Sequence, residues 1–276
     1  MTRKFSVVTT FHLDGYQRYG RRMIETFLQN WPQSVDLHVY AENCAVAERA
    51  SNLVIHDLHL EIPALVRFKD RYRSDPRATG QQARGPVDRK GKQPGIGFRW
   101  DAVRFSNKVY AQCDLARNPS TDTMIWMDAD MVCHSAIGAD TLEREIPADI
   151  GVAFLGRAHK FTETGLWAIN MQQSGSREFV ERMQWAYDHA EQGVLAMDEF
   201  HDCWVFDRTR EWMTQTFPHW KQLDWNSGSL QGEGHPLINT VWGAYLDHLK
   251  GRRKDQGHSA SRDLIRPRSE DYWQSI

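Results

Sequence analysis

The chain has 276 residues, 41% of them hydrophobic, and a formal net charge of -2, so it can bury a full core, and we expect one domain spanning 1–276. Its four cysteines lie far apart without a CxxC pair, which argues against a zinc knuckle or a disulfide framework and favours reduced thiols in the cytoplasm. No stretch approaches the ~18 apolar residues of a membrane span, and the apolar run after Lys4 is too short for a signal peptide.

The first part of the chain alternates strand and helix patterns. Residues 5–11 (FSVVTTF) predict a strand, apolar residues between positions 16 and 28 recur at helical spacing, and 35–41 (VDLHVYA) alternates as a second strand. A strand, a helix and a strand in this order build parallel sheets. The alternation continues and predicts an α/β fold with a mixed, mainly parallel sheet flanked by helices. Further strands are predicted at 53–55, 123–127, 150–155 and 164–169, and helices at 101–112, 176–192 (capped by Ser176) and 201–214.

Two segments concentrate positive charge. Residues 67–104 contain eleven Lys or Arg against four Asp, a balance of +7, and residues 250–268 contain seven against two, a balance of +5. Such segments favour an anionic ligand. Within the first of them, residues 74–97 hold five Gly and three Pro and almost nothing apolar, which predicts a long basic loop. The loop can be a lid, an acceptor-binding segment or a disordered surface insertion.

Two carboxylates follow the most hydrophobic predicted strand. In the segment MIWMDADMV, Asp128 and Asp130 lie where that strand ends, at the edge of the sheet where open α/β folds bind ligands. Burying two carboxylates there requires compensation, which a bound cation supplies. Carboxylate oxygens suit Mg²⁺ or Mn²⁺. The alternative is a solvated turn in which Asp130 caps a helix.

This DxD pattern after a central strand resembles that of GT-A fold glycosyltransferases, which use nucleotide sugars. The resemblance extends to DHLKGRRK, where His248, Gly251 and Lys254 form an HxxGxxK pattern similar to that of the glycogenin and lipopolysaccharide galactosyltransferase group. It implies that His248 completes a metal site with the two aspartates, while Gly251 and Lys254 meet the donor diphosphate. Apolar spacing upstream also permits a helix that ends at Gly251, in which case His235 or His258 is the fallback ligand.

The same resemblance implies further donor contacts. Residues at the end of the first strand correspond in position to the nucleotide-binding loop and are expected to contact base and ribose, with a tyrosine stacking nearby. In the resembling family a basic residue in the helix before the DxD also meets the donor, a role open to Arg104 or Lys108. The complete predicted donor-binding set is Thr9, Thr10, Phe11, Tyr16, Arg104, Lys108, Ala129, Gly251 and Lys254.

Candidate catalytic carboxylates lie near the start of the last predicted helix. The resembling family faces the acceptor with an NxG strand and contacts the transferred sugar with an Asp-Gln pair at a helix start. Here Glu163 replaces the Asn, and either Asp198-Glu199 or Asp202-Cys203 stands for the Asp-Gln pair. Asp198, Glu199 or Asp202 can serve as the base of an inverting enzyme. A retaining enzyme, which we favour, needs only a polar group near the anomeric carbon.

The sequence therefore predicts a GT-A-like glycosyltransferase, a hexosyl- or pentosyltransferase with Mn²⁺ or Mg²⁺ as cofactor and a nucleoside-diphosphate sugar, best a UDP-sugar, as donor. The basic loop at 74–97 and the tail at 248–276 are expected to fold over the donor site. The acceptor is expected to be a glycan, such as a lipopolysaccharide or capsule intermediate, or modified DNA, because the basic segments permit an anionic polymer.

Two other function classes stay open. A nucleotidyltransferase acting on sugar phosphates also joins an acidic pair to a metal, although TTFHLDGY lacks the Gly-rich basic loop usual in that class. A non-catalytic nucleic-acid-binding protein explains the basic loop and leaves the DxD pattern unexplained.

Overall fold

The computed structural model of the chain describes residues 3–87, 89, 91–227 and 235–276. None of the helices in these residues has the length and apolar character of a membrane-spanning segment. The strands are β1 Phe5–His12, β2 Asp36–Glu42, β3 Leu53–Asp57, β4 Thr79–Gln81, β5 Ile96–Asp101, β6 Thr123–Met127, β7 Met131–Cys133, β8 Val152–Leu155, β9 Glu163–Asn170, β10 Gln222–Asp224 and β11 Leu246–His248. The α-helices are α1 Leu13–Gly15, α2 Arg21–Asn30, α3 Leu58–Glu61, α4 Pro63–Tyr72, α5 Ala102–Ala116, α6 Ala139–Glu145, α7 Ser176–Asp188, α8 Asp202–Thr216, α9 Arg253–Gln256 and α10 Asp271–Gln274. A π-helical turn covers Tyr16–Gly20, and short 3-10 turns cover Val194–Ala196, Leu237–Asn239, Val241–Ala244 and Ser261–Asp263.

Seven strands form one sheet in the order β10, β8, β9, β6, β1, β2, β3. The neighbours β10 and β8, β6 and β1, β1 and β2, and β2 and β3 run parallel, while β9 is antiparallel to both β6 and β8. One strand of this sheet therefore opposes the other six, which confirms the predicted mixed, mainly parallel sheet. Because parallel strands end at the same edge, the residues that follow β1, β2 and β6 share the edge where such folds bind ligands.

The central strand β6 is buried on both faces. Met124 and Trp126 join the core that includes side chains of α5 and α7, and Ile125 and Met127 join the core that includes α2. The sequence of a strand that is covered on both faces is a continuous hydrophobic run. For this reason the sequence predicts both ends of β6. The other predicted strands and helices are also present with ends shifted by a few residues, whereas β4, β5, β7, β10 and β11 were not predicted as strands.

The segment that carries His248 is a strand and not the end of a helix. β11 pairs antiparallel with β7, with His248 opposite Met131, and Leu249 N donates to Asp130 O at 2.8 Å. Two 3-10 turns precede β11, and Gly251 follows it with φ +60. The helical alternative for this segment is therefore wrong, because backbone pairing with β7 determines its conformation.

The basic segment predicted as a loop contains part of a β-hairpin. Strand β4 lies inside it, and β5 begins at its end and pairs antiparallel with β4. Gly80, with φ +65, has Gly97 O only 2.4 Å from the position that a Cβ would take, so the two strands approach too closely there for any side chain. The prediction of a structureless loop over 74–97 is thus corrected for the described residues; positions 88 and 90 lie outside them.

The start of α7 also differs from the prediction. Gly175, with φ +98, precedes the helix, and Ser176 is its first residue instead of its cap. The Ser176 hydroxyl accepts a hydrogen bond from Trp220 Nε1 at 3.0 Å. The hydroxyl therefore links α7 to the Trp220 segment. Gly175 supplies the left-handed backbone conformation that the turn before α7 requires.

A buried carboxylate fixes the C-terminal tail beside the metal-ligand candidates. Asp247, in β11, is fully buried. It accepts hydrogen bonds from Ser259 N at 2.7 Å, Ser259 Oγ at 2.5 Å and Tyr272 OH at 2.8 Å. Trp273 Nε1 adds a bond to Gly243 O at 2.7 Å. These bonds hold the tail against the strand that carries His248.

Replacing Asp247 by Ala is expected to lower the free energy of unfolding by about 3 kcal/mol, because buried donors lose their acceptor. Urea denaturation measures this loss. The control Asp14→Ala, at an exposed carboxylate, should change stability by less than ~0.5 kcal/mol. Equal stability of the two variants would show that the tail is held without Asp247.

Candidate metal and donor site

Three side chains with metal-binding groups converge at the carboxyl edge of β6. Asp128 and Asp130 follow β6 directly, and the pairing of β11 with β7 brings His248 beside them. The imidazole Nε2 lies 3.1 Å from Asp130 Oδ1 and 3.5 Å from Asp128 Oδ2. One donor atom of each residue lies within 4.8 Å of the other two. Two carboxylate oxygens and one imidazole nitrogen form a donor set that fits Mg²⁺ or Mn²⁺.

A glycine makes room for the imidazole. A Cβ at Gly165, in β9, would lie 2.3 Å from His248 Cε1 and 2.7 Å from its Nδ1. Gly165 O also accepts a hydrogen bond from Asp128 N at 2.8 Å, which fixes the backbone of the first aspartate. His248 Nδ1 is buried and has no hydrogen-bond partner in the described residues. The ring therefore presents Nε2 to the aspartates, and Gly165 is part of the site although its side chain is a hydrogen atom.

Lys108, in α5, is enclosed by acceptors. Its ammonium lies 2.9 Å from Asp128 Oδ1, 2.7 Å from Asp202 Oδ2 and 2.8 Å from Thr164 O. An ammonium has three N–H donors, and these three contacts use all of them. Trp126 Nε1 also donates to Asp128 Oδ1 at 2.8 Å. Lys108 therefore holds Asp128 and Asp202 together, and its contact with the donor stays a prediction.

Lys254 stands on the opposite side of the cluster. Its ammonium lies 3.0 Å from Asp130 Oδ2 and 4.4 Å from the centre of the Tyr19 ring, a cation–π contact. Helix α9, which carries Lys254, is held against the N-terminal helices by two contacts. Arg18 pairs with Asp255 at 2.6 Å, and Arg22 donates to the carbonyl oxygen of Gly257 at 2.8 Å. Tyr19 belongs to the π-helical turn, a feature frequent at functional sites.

The buried carboxylate of Glu163 also lies near the His248 imidazole. Glu163 is almost fully buried at the start of β9. One of its oxygens contacts Lys250 and the other lies 3.4 Å from Arg157. Burial opposes ionisation of Glu163, but Lys250, His248 and Arg157 outweigh it and hold its pKa well below the usual range. Glu163 is therefore ionised and lies beside the metal-ligand candidates together with Lys250 and Arg157.

The two aspartates differ in their protonation energetics. Burial raises the pKa of Asp128, and Asp130 and Asp202 add to this rise against the lowering by Lys108 and His248. Burial also opposes ionisation of Asp130, but His248 and Lys254 outweigh it, so its pKa lies below the usual range. Asp128 is thus the carboxylate whose ionisation gains most from an additional cation.

The residues at the end of β1 are placed differently from one another. The Thr9 hydroxyl is buried and without a hydrogen-bond partner in the described residues, and Thr10 Oγ1 donates to Tyr40 O at 2.6 Å. Phe11 and Tyr16 are buried and stacked, with ring centres 5.5 Å apart. The protein itself covers most of both rings, and their predicted place beside the base of the donor stays a prediction. Arg104 is exposed in the first turn of α5, and Ala129 is buried between the aspartates.

Of the three candidate catalytic carboxylates, Asp202 is the one joined to the aspartate cluster, through Lys108. Asp198 is exposed. Glu199 pairs with Arg99 at 2.8 Å and with His201 at 2.8 Å. His201, Asp202 and Cys203 also bring donor atoms within 4.8 Å of one another, but burial raises the pKa of the Cys203 thiol well above its usual range, so it is no thiolate ligand and we assign no ion there.

The fallback ligands have other partners. His235 Nε2 donates to His248 O at 3.0 Å, and burial, together with the neighbouring His248, lowers the pKa of His235 to about 3. His235 is therefore neutral and supports the strand. His258 Nδ1 lies 2.9 Å from Ser259 O.

Sequence reasoning missed Tyr19, Lys250 and Gly165 as parts of the site. Lys250 lies just after β11, where its N donates to His248 O at 2.9 Å, so its place beside Glu163 follows from a turn that the sequence pattern did not indicate. For Tyr19, the pattern GYQRYG places a glycine on each side of the π-helical turn. Gly165 was noted only within its strand, and its need for a missing Cβ follows from the three-dimensional contact alone.

The similarity of this chain to known proteins lies in its fold. No family model and no curated protein matches the sequence. The chain is similar to the WbbM bifunctional glycosyltransferase, with TM-score 0.44 and 10% identity over 82% of this chain and 39% of that chain. It is similar to mouse xyloside xylosyltransferase 1, with TM-score 0.43 and 10% identity over 79% of this chain and 84% of that chain. It is similar to the glycosyltransferase GlyE of Streptococcus pneumoniae, with TM-score 0.42 and 13% identity over 81% of this chain and 46% of that chain.

All three similar structures are glycosyltransferases, the class that the sequence resembles. The chain spans less than half of the first and third proteins. At these identities and scores no residue role transfers from them to this chain.

Replacing Gly165 by Ala is expected to weaken Mn²⁺ binding by about 10- to 100-fold, because the new methyl group displaces the His248 ring. Titration followed by Mn²⁺ electron paramagnetic resonance measures the affinity. Gly85→Ala is the matched control, since nothing lies within 4 Å of a Cβ there. Parental affinity in Gly165→Ala would exclude His248 as a ligand, provided that thermal unfolding shows the variant folded.

Proposed function

We propose that this protein is a metal-dependent glycosyltransferase that moves a sugar from a nucleoside-diphosphate sugar, best a UDP-sugar, to an acceptor hydroxyl. The convergence of Asp128, Asp130 and His248 at the carboxyl edge of β6 carries the proposal. A divalent ion held by these residues would offset the negative charge of the diphosphate as it leaves. Mn²⁺ is preferred to Mg²⁺ because one of the three donors is an imidazole nitrogen.

Lys254 and Gly251 are proposed to contact the diphosphate. The Lys254 ammonium stands beside Asp130, and its side chain is 22% exposed, so it can reach a ligand at the edge of the site. Apart from its two chain neighbours, no described residue has an atom within 4 Å of the position that a Gly251 Cβ would take, which leaves its backbone open to phosphate oxygens. Thr10, partly exposed at the end of β1, and Arg104, exposed in α5, stay as the more accessible candidate contacts for the donor.

The environment of Asp202 favours a retaining reaction. Burial opposes ionisation of Asp202, but Lys108 and the Thr164 hydroxyl outweigh it and lower its pKa below the usual range. A carboxylate with a lowered pKa is a weak base, whereas a general base works best with a pKa near the operating pH. Asp202 is therefore better suited to orienting the transferred sugar than to deprotonating an acceptor.

The double variant Asp128→Asn/Asp130→Asn tests the proposed function. Release of UDP from a panel of UDP-sugars in the presence of Mn²⁺ should fall by at least about 100-fold, because two of three ligands lose their charge. Exposed Asp14→Asn is the control and should retain parental activity. Unchanged turnover in the double variant would exclude a metal at this site, and absence of turnover by the parent across several donors would favour a nucleotidyltransferase or a nucleic-acid-binding protein.

Substitutions at Tyr19 test its role as a positioning residue for Lys254. Tyr19→Leu removes the aromatic ring and should weaken UDP binding in the presence of Mn²⁺ by about three- to fivefold. Tyr19→Phe keeps the ring and should bind UDP as the parent does. Isothermal titration calorimetry gives both affinities. An equal loss in the two variants would assign the effect to the phenol hydroxyl instead of the ring.

A further inference from the structure

The β4–β5 hairpin exposes large apolar side chains next to cations. Val87, Ile96 and Phe98 are 56%, 50% and 57% exposed, and Arg84 and Arg89 are exposed in the same segment. We call these five residues the docking face. Arg84 N donates to Pro94 O at 2.8 Å, which joins the two arms of the connecting segment.

The hairpin is fixed to the body of the protein through the segment that precedes α8. Trp100 Nε1 donates to Asp198 O at 2.8 Å, Phe200 N donates to Arg99 O at 2.7 Å, and the Arg99 side chain pairs with Glu199. Arg84 also donates to Met197 O at 2.9 Å. These bonds hold β5 in place while Ile96 and Phe98 stay exposed, so their exposure is a property of an anchored element.

A groove of about 430 Å³ lies along β5. Its lining includes Ile96, Phe98, Trp100 and Glu199. Glu199 contacts His201 at 2.8 Å, and the next residue is Asp202, which is joined through Lys108 to Asp128. The docking face is therefore linked through Glu199 and His201 to the segment that carries Asp202, which is proposed to orient the transferred sugar.

The chemistry of the docking face favours a membrane surface over a nucleic acid. Single-stranded nucleic acids bind to aromatic rings on which bases stack, and Val87 and Ile96 offer no ring. Aliphatic side chains flanked by arginines fit the boundary between anionic headgroups and acyl chains. The surrounding segment, with its balance of +7, complements such a surface in charge.

We propose that the docking face binds the surface of an anionic lipid bilayer, with Val87, Ile96 and Phe98 entering the headgroup region. If the proposed glycosyltransferase function holds, this contact presents acceptors attached to the membrane to the site. Binding to the bilayer itself requires neither metal nor donor, so its test is independent of the catalytic proposal.

Sedimentation of the full chain with vesicles tests the proposal. The protein should bind vesicles of phosphatidylcholine containing about one third phosphatidylglycerol, and binding to pure phosphatidylcholine should be much weaker. The variant Ile96→Ser/Phe98→Ser should lose about tenfold or more in partitioning. Raising the salt to about 1 M, where the Debye length is ~3 Å, should weaken binding of the parent.

Leu60→Ser is the matched control, because Leu60 is 78% exposed outside the docking face; it should bind vesicles as the parent does. Phe98→Ser alone is a milder second variant, and thermal unfolding verifies that each variant is folded. Absence of binding to anionic vesicles at low salt, or equal binding by the parent and both docking-face variants, would overturn the proposal. Retention of single-stranded DNA that depends on Phe98, without vesicle binding, would reassign the face to nucleic acid.

Discussion

The structure around the site depends on compensating two partly buried carboxylates at the end of β6. Asp128 and Asp130 follow a strand that is covered on both faces, so neither can be fully hydrated. Each one has its own lysine, Lys108 on Asp128 and Lys254 on Asp130, and both face His248. The elements that carry these three residues are α5, α9 and β11. Burial of the acidic pair therefore determines how three distant segments of the chain come together.

Much of this arrangement follows from local sequence patterns. The continuous hydrophobic run of β6 predicts a strand buried on both faces, and Asp128 and Asp130 at its end predict the position of the site. The resemblance carried by the HxxGxxK pattern of His248, Gly251 and Lys254 implies which segment returns to it. Each of these inferences depends on residues close together in sequence.

The errors arise where the conformation is decided by remote partners. The spacing before His248 is compatible with a helix, and only pairing with β7 makes it a strand. Phe11 lies near the end of β1 after two threonines, yet its ring packs on Tyr16 in the core. Serine is a common helix cap, but here the Ser176 hydroxyl accepts a hydrogen bond from Trp220 instead. In each case the partner lies on another element, and a single sequence gives no record of that contact.

The two lysines that contact the aspartates differ in how many protein acceptors hold their ammonium groups. Lys108 uses all three N–H donors on protein acceptors and is held between Asp128 and Asp202. Lys254 has one ion-pair partner in the described residues, a partly exposed side chain and an aromatic ring beneath its ammonium. Moving Lys108 would leave two buried carboxylates without their shared cation, a large cost. If the site binds a diphosphate as proposed, Lys254 is the lysine that would turn from Asp130 toward it, because its side chain is partly exposed and has one ion pair in the described residues. We infer that Lys108 is the permanent counter-charge of the site and Lys254 the one that is exchanged with a ligand.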